Sequence, residues 1–293
     1  MKLSYIIKKE DNFENLKELI KTQFQISDRL FLKLKKNNKI YLNNSNTCLW
    51  KPLEIDDLVE LFIDFKEDNS NIPSIKMNLD IIYEDDAFLI VNKPAGIPVH
   101  PSMQHYSDSL SSGVKYYFDT LSLHKKIRPV NRIDRNTSGI VIFAKNEYIQ
   151  EYLVREMKNK EFHKEYIAIC DGIFKEKQGT INLPISRKEG SIIERCIDEK
   201  GAPSITHYLV LNEFVDEDYS VVQCILETGR THQIRVHMLA IDHPLLGDTL
   251  YGKESNLINR QALHSYKVSF IHPITKKRVT YIAPLPYDIQ KLI

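Results

Sequence analysis

The sequence has no pair of cysteines at metal-ligand spacing. Its four, Cys48, Cys170, Cys196 and Cys224, are far apart, which excludes a zinc ribbon or a disulfide framework and suits reduced, packed thiols in a cytoplasmic protein. No apolar run approaches the ~18 residues of a membrane span, so no membrane partner is expected. The apolar stretch in Met1 to Lys8 is too short for a signal peptide and has no small-residue cleavage site. No glycine-rich loop follows a strand, so no nucleotide cofactor is expected. Internal repeats and a regular strand-helix alternation are also missing, which disfavours a doubly wound fold. Nor is there charge of one sign. With 40 Lys and Arg against 39 Asp and Glu the net charge is +1, so any polyanion site must come from local clustering.

What is present is an ordinary globular composition. It has 293 residues, 42% of them hydrophobic, enough for one large domain or a large one plus a small one. Residues 1–66 show an edge strand at Leu3 to Ile7 and a helix from Phe13 to Phe24. A second helix over Arg29 to Lys36 follows an N-cap at Ser27. Strands follow at Ile40 to Leu42 and Leu58 to Ile63. The polar, non-periodic residues 67–78 suggest a linker. Within 79–293, a hairpin is expected from Ile81-Ile82-Tyr83 and Phe88 to Val91, and a helix from Leu110 to Phe118. A buried strand fits Ile140 to Ala144, then a helix capped by Asn146. Further strands fit His163 to Cys170, Ile205 to Leu211, Tyr219 to Leu226, Val268 to Ile271 and Val279 to Ala283. The expected fold class is α+β: a mixed, largely antiparallel central sheet with flanking helices, plus a small N-terminal α/β unit.

Three polar segments interrupt the apolar strands. In Asn131 to Gly139, one carboxylate, Asp134, lies between Arg132 and Arg135. Flanking cations lower an aspartate's pKa, and a charged carboxylate on a rigid loop suits a nucleophile or a general base. The plain alternative is a structural ion pair. The other two are Lys164-Glu165-Tyr166 and the turn-helix from Thr228 to His237. Tyr166 could equally be a half-buried packing residue, and Arg235 could cover a helix face. His232 and His237 are poorly spaced for joint metal binding on one helix, and no metal site is expected.

These segments resemble the RluA class of pseudouridine synthases. Arg132 to Gly139 is similar to its H-R-L-D-x-x-T-S-G signature, and His163 to Tyr166 to its x-K-x-Y strand. Leu226 to His237 with His243 to Gly252 is similar to the block L-x-T-G-R-x-H-Q-I-R-x-H … H-P-x-x-G-D-x-x-Y-G. Val91 to Gly96 resembles the opening motif. The resemblance spans roughly 80 to 290. It implies isomerisation of uridine in RNA without metal or cofactor, with ribosomal and transfer RNA both open as partner and a monomer as the default state. It makes Asp134 the catalytic aspartate, attacking the sugar or removing a sugar proton to form a glycal. It makes Tyr166 the aromatic against the target base and Arg235 the cation paired with Asp134. Lys93, Arg132, Arg135, Lys164, Arg230 and His232 become candidates for holding RNA, with Arg135 offered for the space a flipped base vacates. Two departures stand out: Asn131 replaces the usual His, and Asn136 stands where a second acid is common. Residues 1–66 resemble the small RNA-binding domain first seen in ribosomal protein S-four, through Ser27-Asp28-Arg29, Ile40 to Asn43 and Asp56-Asp57. A solvated lysine face is the plain alternative there. The rivals to the enzyme are a catalytically silent RNA-binding module and a glycosidase, which would need a second carboxylate.

Overall fold

A computed structural model describes residues 1–101 and 108–293. The N-terminal part runs β1 (Lys2–Ile6), α1 (Leu16–Thr22), α2 (Asp28–Lys36), β2 (Ile40–Leu42) and β3 (Leu58–Phe62), with a three-stranded sheet in the order β1-β3-β2. Asn15 and Ser27 cap the two helices by accepting from the amides of Glu18 and Leu30. The helices bury Leu16, Leu19, Ile20, Leu30 and Leu34 against Val59 and Leu61 of β3.

The rest runs β4 (Ile81–Glu84), β5 (Phe88–Lys93), α3 (Leu110–Thr120), β6 (Ser138–Ala144), α4 (Glu147–Lys158), β7 (His163–Asp171), β8 (Gln178–Asn182), β9 (Ile185–Arg187), β10 (Arg195–Ile197), β11 (Ile205–Phe214), β12 (Tyr219–Leu226), α5 (Gln233–Ala240), β13 (Leu263–Ile271), β14 (Arg278–Ile282) and α6 (Tyr287–Gln290). Among the described residues nine strands form one sheet, β4-β5-β6-β13-β7-β12-β11-β8, with β14 also on β13. The pair β13–β6 is parallel and its other pairs are antiparallel. This is the mixed, largely antiparallel α+β sheet the sequence pattern called for.

The β6 strand is buried along its whole length, as its unbroken apolar run requires. Gly139 allows its parallel join to β13. With φ of 109°, it lies where a Cβ would strike the carbonyl oxygen of Ser265. Asn146 caps α4 as expected, accepting from the amide of Ile149 at 3.0 Å.

Three features escaped the sequence pattern. The β9–β10 hairpin is too short and polar to show periodicity. The β8 strand is an edge strand with one buried residue. The β13 strand begins at Leu263 rather than Val268, because polar His264 and Ser265 hide its first half. Both are buried, and His264 Nδ1 pairs with Ser138 Oγ at 2.9 Å.

Segment 67–78 has no helix or strand, yet it is held along its length. Glu67 takes a bidentate pair from Arg128 at 2.7 Å, the Asn69 amide bonds Lys125 O and Ile127 N, and Ile72 is buried. The N-terminal helices also meet α4 directly. Ser27 Oγ donates to Glu151 at 2.8 Å and Lys33 to Glu147 at 2.6 Å. Their apolar side chains join one cluster with Phe88, Ile140, Ile149 and Phe270.

Candidate active site

Three elements meet at the open face of the sheet. The loop before β6 carries Asp134, β7 carries Tyr166, and the first turn of α5 carries Arg235. All three line one small, open pocket, with Ile133, Leu226, Ile234 and Leu263 as its apolar walls.

Arg235 is the fixed point. Its Nε and Nη2 donate to Asp248 at 2.7 and 2.8 Å, and its Nη1 donates to Asp134 Oδ2 at 3.1 Å. Its guanidinium also lies 4.9 Å from the Tyr251 ring centre. Burial pushes the guanidinium pKa down, and Asp248 and Asp134 outweigh it, so Arg235 stays charged. A lysine could not span both carboxylates with a planar fork. Asp248 is almost wholly buried and also accepts the amides of Leu250 and Tyr251. It was part of the matched block without a role. Its signal was an acid inside a segment otherwise fit for a turn.

The cation on Asp134 is thus Arg235, not a chain neighbour. No hydrogen bond or ion pair among the described residues links Arg132 or Arg135 to Asp134, which corrects the flanking-cation expectation. Arg135 is turned away, its Nε donating to Gly96 O at 2.8 Å. Arg132 is exposed and lines both the pocket and the cleft above it.

Tyr166 is buried in the wall beside Asp134. Burial, with a smaller contribution from the Asp134 charge, pushes its phenol up to about 12, so it is neutral at physiological pH. Asn131, the first departure from the family pattern, holds the loop in place. Its amide donates to Ile140 O and accepts from Ile142 N, both at 2.9 Å, pinning the loop to β6. Asn136 offers its carbonyl to Arg260, which is locked to Asp288.

The start of α5 is organised by Gln233, another residue the sequence left unassigned. Its Oε1 accepts from Thr228 Oγ1 and Arg230 N, while Nε2 donates to Ile205 O and Thr206 Oγ1. All its polar capacity is used to shape the turn. His232, at φ 58°, puts Nε2 3.7 Å from Asp134 Oδ2. His237 lies on another face, bonded to Thr206 and Leu183. Among the described residues no metal-binding cluster occurs.

Lys93 needs a correction. It is fully buried, with its ammonium on the carbonyls of Pro94, Ile97 and Arg135 at 2.8 to 2.9 Å. Burial above all, then repulsion from Arg260, pushes its pKa down to about 7. It ties the opening motif to the Asp134 loop and offers no charge to RNA.

Above the pocket lies an open cleft. Arg132, Arg135, Lys158, Lys160, Lys164 and Arg230 line it against Asp134 and Glu227. This is the local clustering a chain of net charge +1 needs for a polyanion. Lys158 and Lys160, at the end of α4, were not singled out by sequence, because terminal helix lysines are ordinary solvated residues. Lys160 is held by Glu227 at 2.6 Å. Lys164 has no ion-pair or hydrogen-bond partner for its ammonium among the described residues, and burial lowers its pKa.

Comparison with known proteins agrees with this geometry. The RNA pseudouridylate synthase family pattern matches residues 87–240. The uncharacterized RNA pseudouridine synthase YhcT of Bacillus subtilis is 36% identical over 290 residues, covering 99% of this chain and 96% of that protein. The ribosomal large subunit pseudouridine synthase D of Neisseria meningitidis serogroup B is 38% identical over 78% of this chain and 63% of its own length. Among solved structures, human RNA pseudouridylate synthase domain containing 1 superposes with a TM-score of 0.60 at 29% identity, over 72% of this chain and 84% of that one. With Asp134, Tyr166 and Arg235 gathered in one pocket, the chain belongs to the RluA class of RNA pseudouridine synthases, isomerases that convert uridine in RNA to pseudouridine.

Proposed function

We propose that this enzyme modifies large-subunit ribosomal RNA and that Asp134 is the group that acts on the target nucleotide. The carrying observation is Asp134 on the floor of a small pocket, its Oδ2 held by Arg235 Nη1 at 3.1 Å, beneath a basic cleft. Relatives named as ribosomal large subunit pseudouridine synthases support the choice of RNA. One chain supplies Asp134, Tyr166 and Arg235, which supports action as a monomer, and a ribosomal RNA substrate supports work in the cytoplasm.

RNA phosphates lie along Lys164, Arg230 and Arg132, and the uridine is flipped into the pocket. Arg132, lining both spaces, takes the place the base leaves, a role the sequence pattern offered to Arg135. The neutral Tyr166 ring packs on the base. Asp134 then opens the bond between base nitrogen one and the ribose, by attack at the sugar carbon or by removing the neighbouring sugar proton. The freed base turns within the pocket and its carbon five joins the ribose, displacing Asp134 from the sugar carbon or, on the proton-removal route, with the sugar proton returned from Asp134; the proton lost from carbon five is balanced by one gained at nitrogen one. Arg235 keeps the carboxylate charged and aimed throughout.

Mapping pseudouridines in strains with and without the gene, and with Asp134→Asn restored, tests both parts. The expected result is a large-subunit site that is lost without the gene and not regained with the variant. A site lost only from transfer RNA would overturn the choice of RNA. Restoration by Asp134→Asn would overturn the role of Asp134.

A further inference from the structure

His232 contacts more than its place in the motif requires. Its Nδ1 lies 2.8 Å from the Tyr251 hydroxyl, which itself accepts the backbone amide of Arg195, on β10, at 2.7 Å. On the other side of the ring, Nε2 faces Asp134 Oδ2 at 3.7 Å. The backbone holds the ring there in a left-handed conformation uncommon for a residue with a side chain.

The proton positions follow from these partners. Tyr251 is buried, and among the described residues its hydroxyl has only these two partners. If His232 donated to it, the phenol hydrogen would be buried without an acceptor, which is costly. The tyrosine therefore donates to Nδ1, and the single imidazole proton sits on Nε2. The other side of the ring favours the same result, since a lone pair aimed at a carboxylate would repel it. Arg235 Nη1 and His232 Nε2 thus both address Oδ2 of Asp134, and among the described residues no hydrogen bond reaches Oδ1.

We propose that Tyr251 is a positioning residue that fixes His232 as the Nε2–H tautomer, making His232 a second donor toward Oδ2 and leaving Oδ1 as the oxygen that meets the sugar. This rests on Asp134 being the acting carboxylate. At 3.7 Å the contact is too long for a formed hydrogen bond, and it closes when the nucleotide is seated and water leaves. His232 is therefore not an RNA-gripping cation. Burial lowers its pKa. Asp134 pulls it up, Arg235 and Arg195 push it down, and Asp248 pulls it up.

The tautomer is read directly by nitrogen-15 NMR of the histidine-labelled full chain. Wild type is expected to show a bare Nδ1 and a protonated Nε2 at neutral pH. In Tyr251→Phe the proton should redistribute toward Nδ1 or the doubly protonated ring. In single-turnover assays at saturating enzyme, His232→Phe should slow isomerisation roughly tenfold to a hundredfold with unchanged RNA affinity. His232→Gln, which keeps a donor near the Nε2 position, should recover most of the rate. Tyr251→Phe should lose rate at neutral pH, where the Nδ1–H tautomer turns a lone pair toward Asp134, and regain part of it as the ring takes up its second proton. A protonated Nδ1 in wild type, or variants that change RNA affinity or melting temperature alone, would overturn the proposal. Activity retained by Asp134→Asn would instead sink the role of Asp134 and leave the NMR result to judge the tautomer lock by itself.

Discussion

Around Asp134 the charged groups are matched at close range. Arg235 meets two carboxylates through three of its nitrogens, and Asp248 is further satisfied by two amides. In the cleft outside, the half-buried Lys164 has no ion-pair or hydrogen-bond partner among the described residues, Arg132 is exposed, and Arg230 spends one donor on Pro203 O. Both regions use the same residue types. Inside, low polarity makes an unpaired charge very costly, so the geometry is closed and aimed. Outside, cations left with free donors can release counterions to a phosphate backbone. On the function proposed above, the inner set decides what reaction occurs and the outer set how tightly RNA is held.

That division can be broken by substitution. The largest effect is expected for Asp134→Asn. Isomerisation should fall by at least about 10²–10⁴-fold while RNA affinity, measured by filter binding, stays near wild type. A comparable loss of binding would erase the distinction. Next comes Asp248→Ala, which strands the buried Arg235. Urea unfolding should show a loss of about 3–5 kcal/mol, with activity falling as well. An unchanged midpoint would mean the pair is not holding the pocket together.

For the cleft, Lys164→Ala and Arg230→Ala should each weaken RNA binding and flatten the salt slope by about 1, with the single-turnover rate at saturation unchanged. A fall in that rate would move the residue inward. The smallest effect concerns a charge pair remote from the chemistry, Glu67 with Arg128. Burial pushes the Glu67 carboxyl up, and Arg128 pulls it down further, leaving it below its ordinary value. A depressed folded pKa contributes stability above the unfolded value and loses it as pH falls through the folded one. Arg128→Ala should therefore lower stability at neutral pH, on the order of 1 kcal/mol after discounting solvent screening. The gap from wild type should narrow as pH drops below the usual carboxylate range. A gap independent of pH would show that Arg128 acts by packing alone.

Much of this was visible in the chain. The buried strand β6, the caps at Ser27 and Asn146, and the sheet class followed from apolar runs and polar punctuation. Asp134, Tyr166 and Arg235 stood out as polar groups placed beside core strands, and the resemblance gave them roles. Lys93 was misjudged because a lysine in a loop motif looks the same whether it points to solvent or into a nest of carbonyls. Arg135 was misjudged only as a cation on Asp134, since sequence neighbours on a tight turn face different ways. Asp248, Gln233 and Tyr251 lay in the quoted motif but had no role, because each works only through a partner brought from elsewhere.

The order of residues alone set the local periods, the caps, the glycine that lets two strands close, and the chemical types on offer. Its local pattern favoured Arg132 and Arg135, nearer along the chain, as the cations on Asp134; the resemblance pointed to Arg235, which is the one nearer in space. The folded sheet makes that contact by bringing β7, α5 and the loop before β6 to one pocket. Electrostatic partners are chosen by distance through space, and only the packed chain defines that distance.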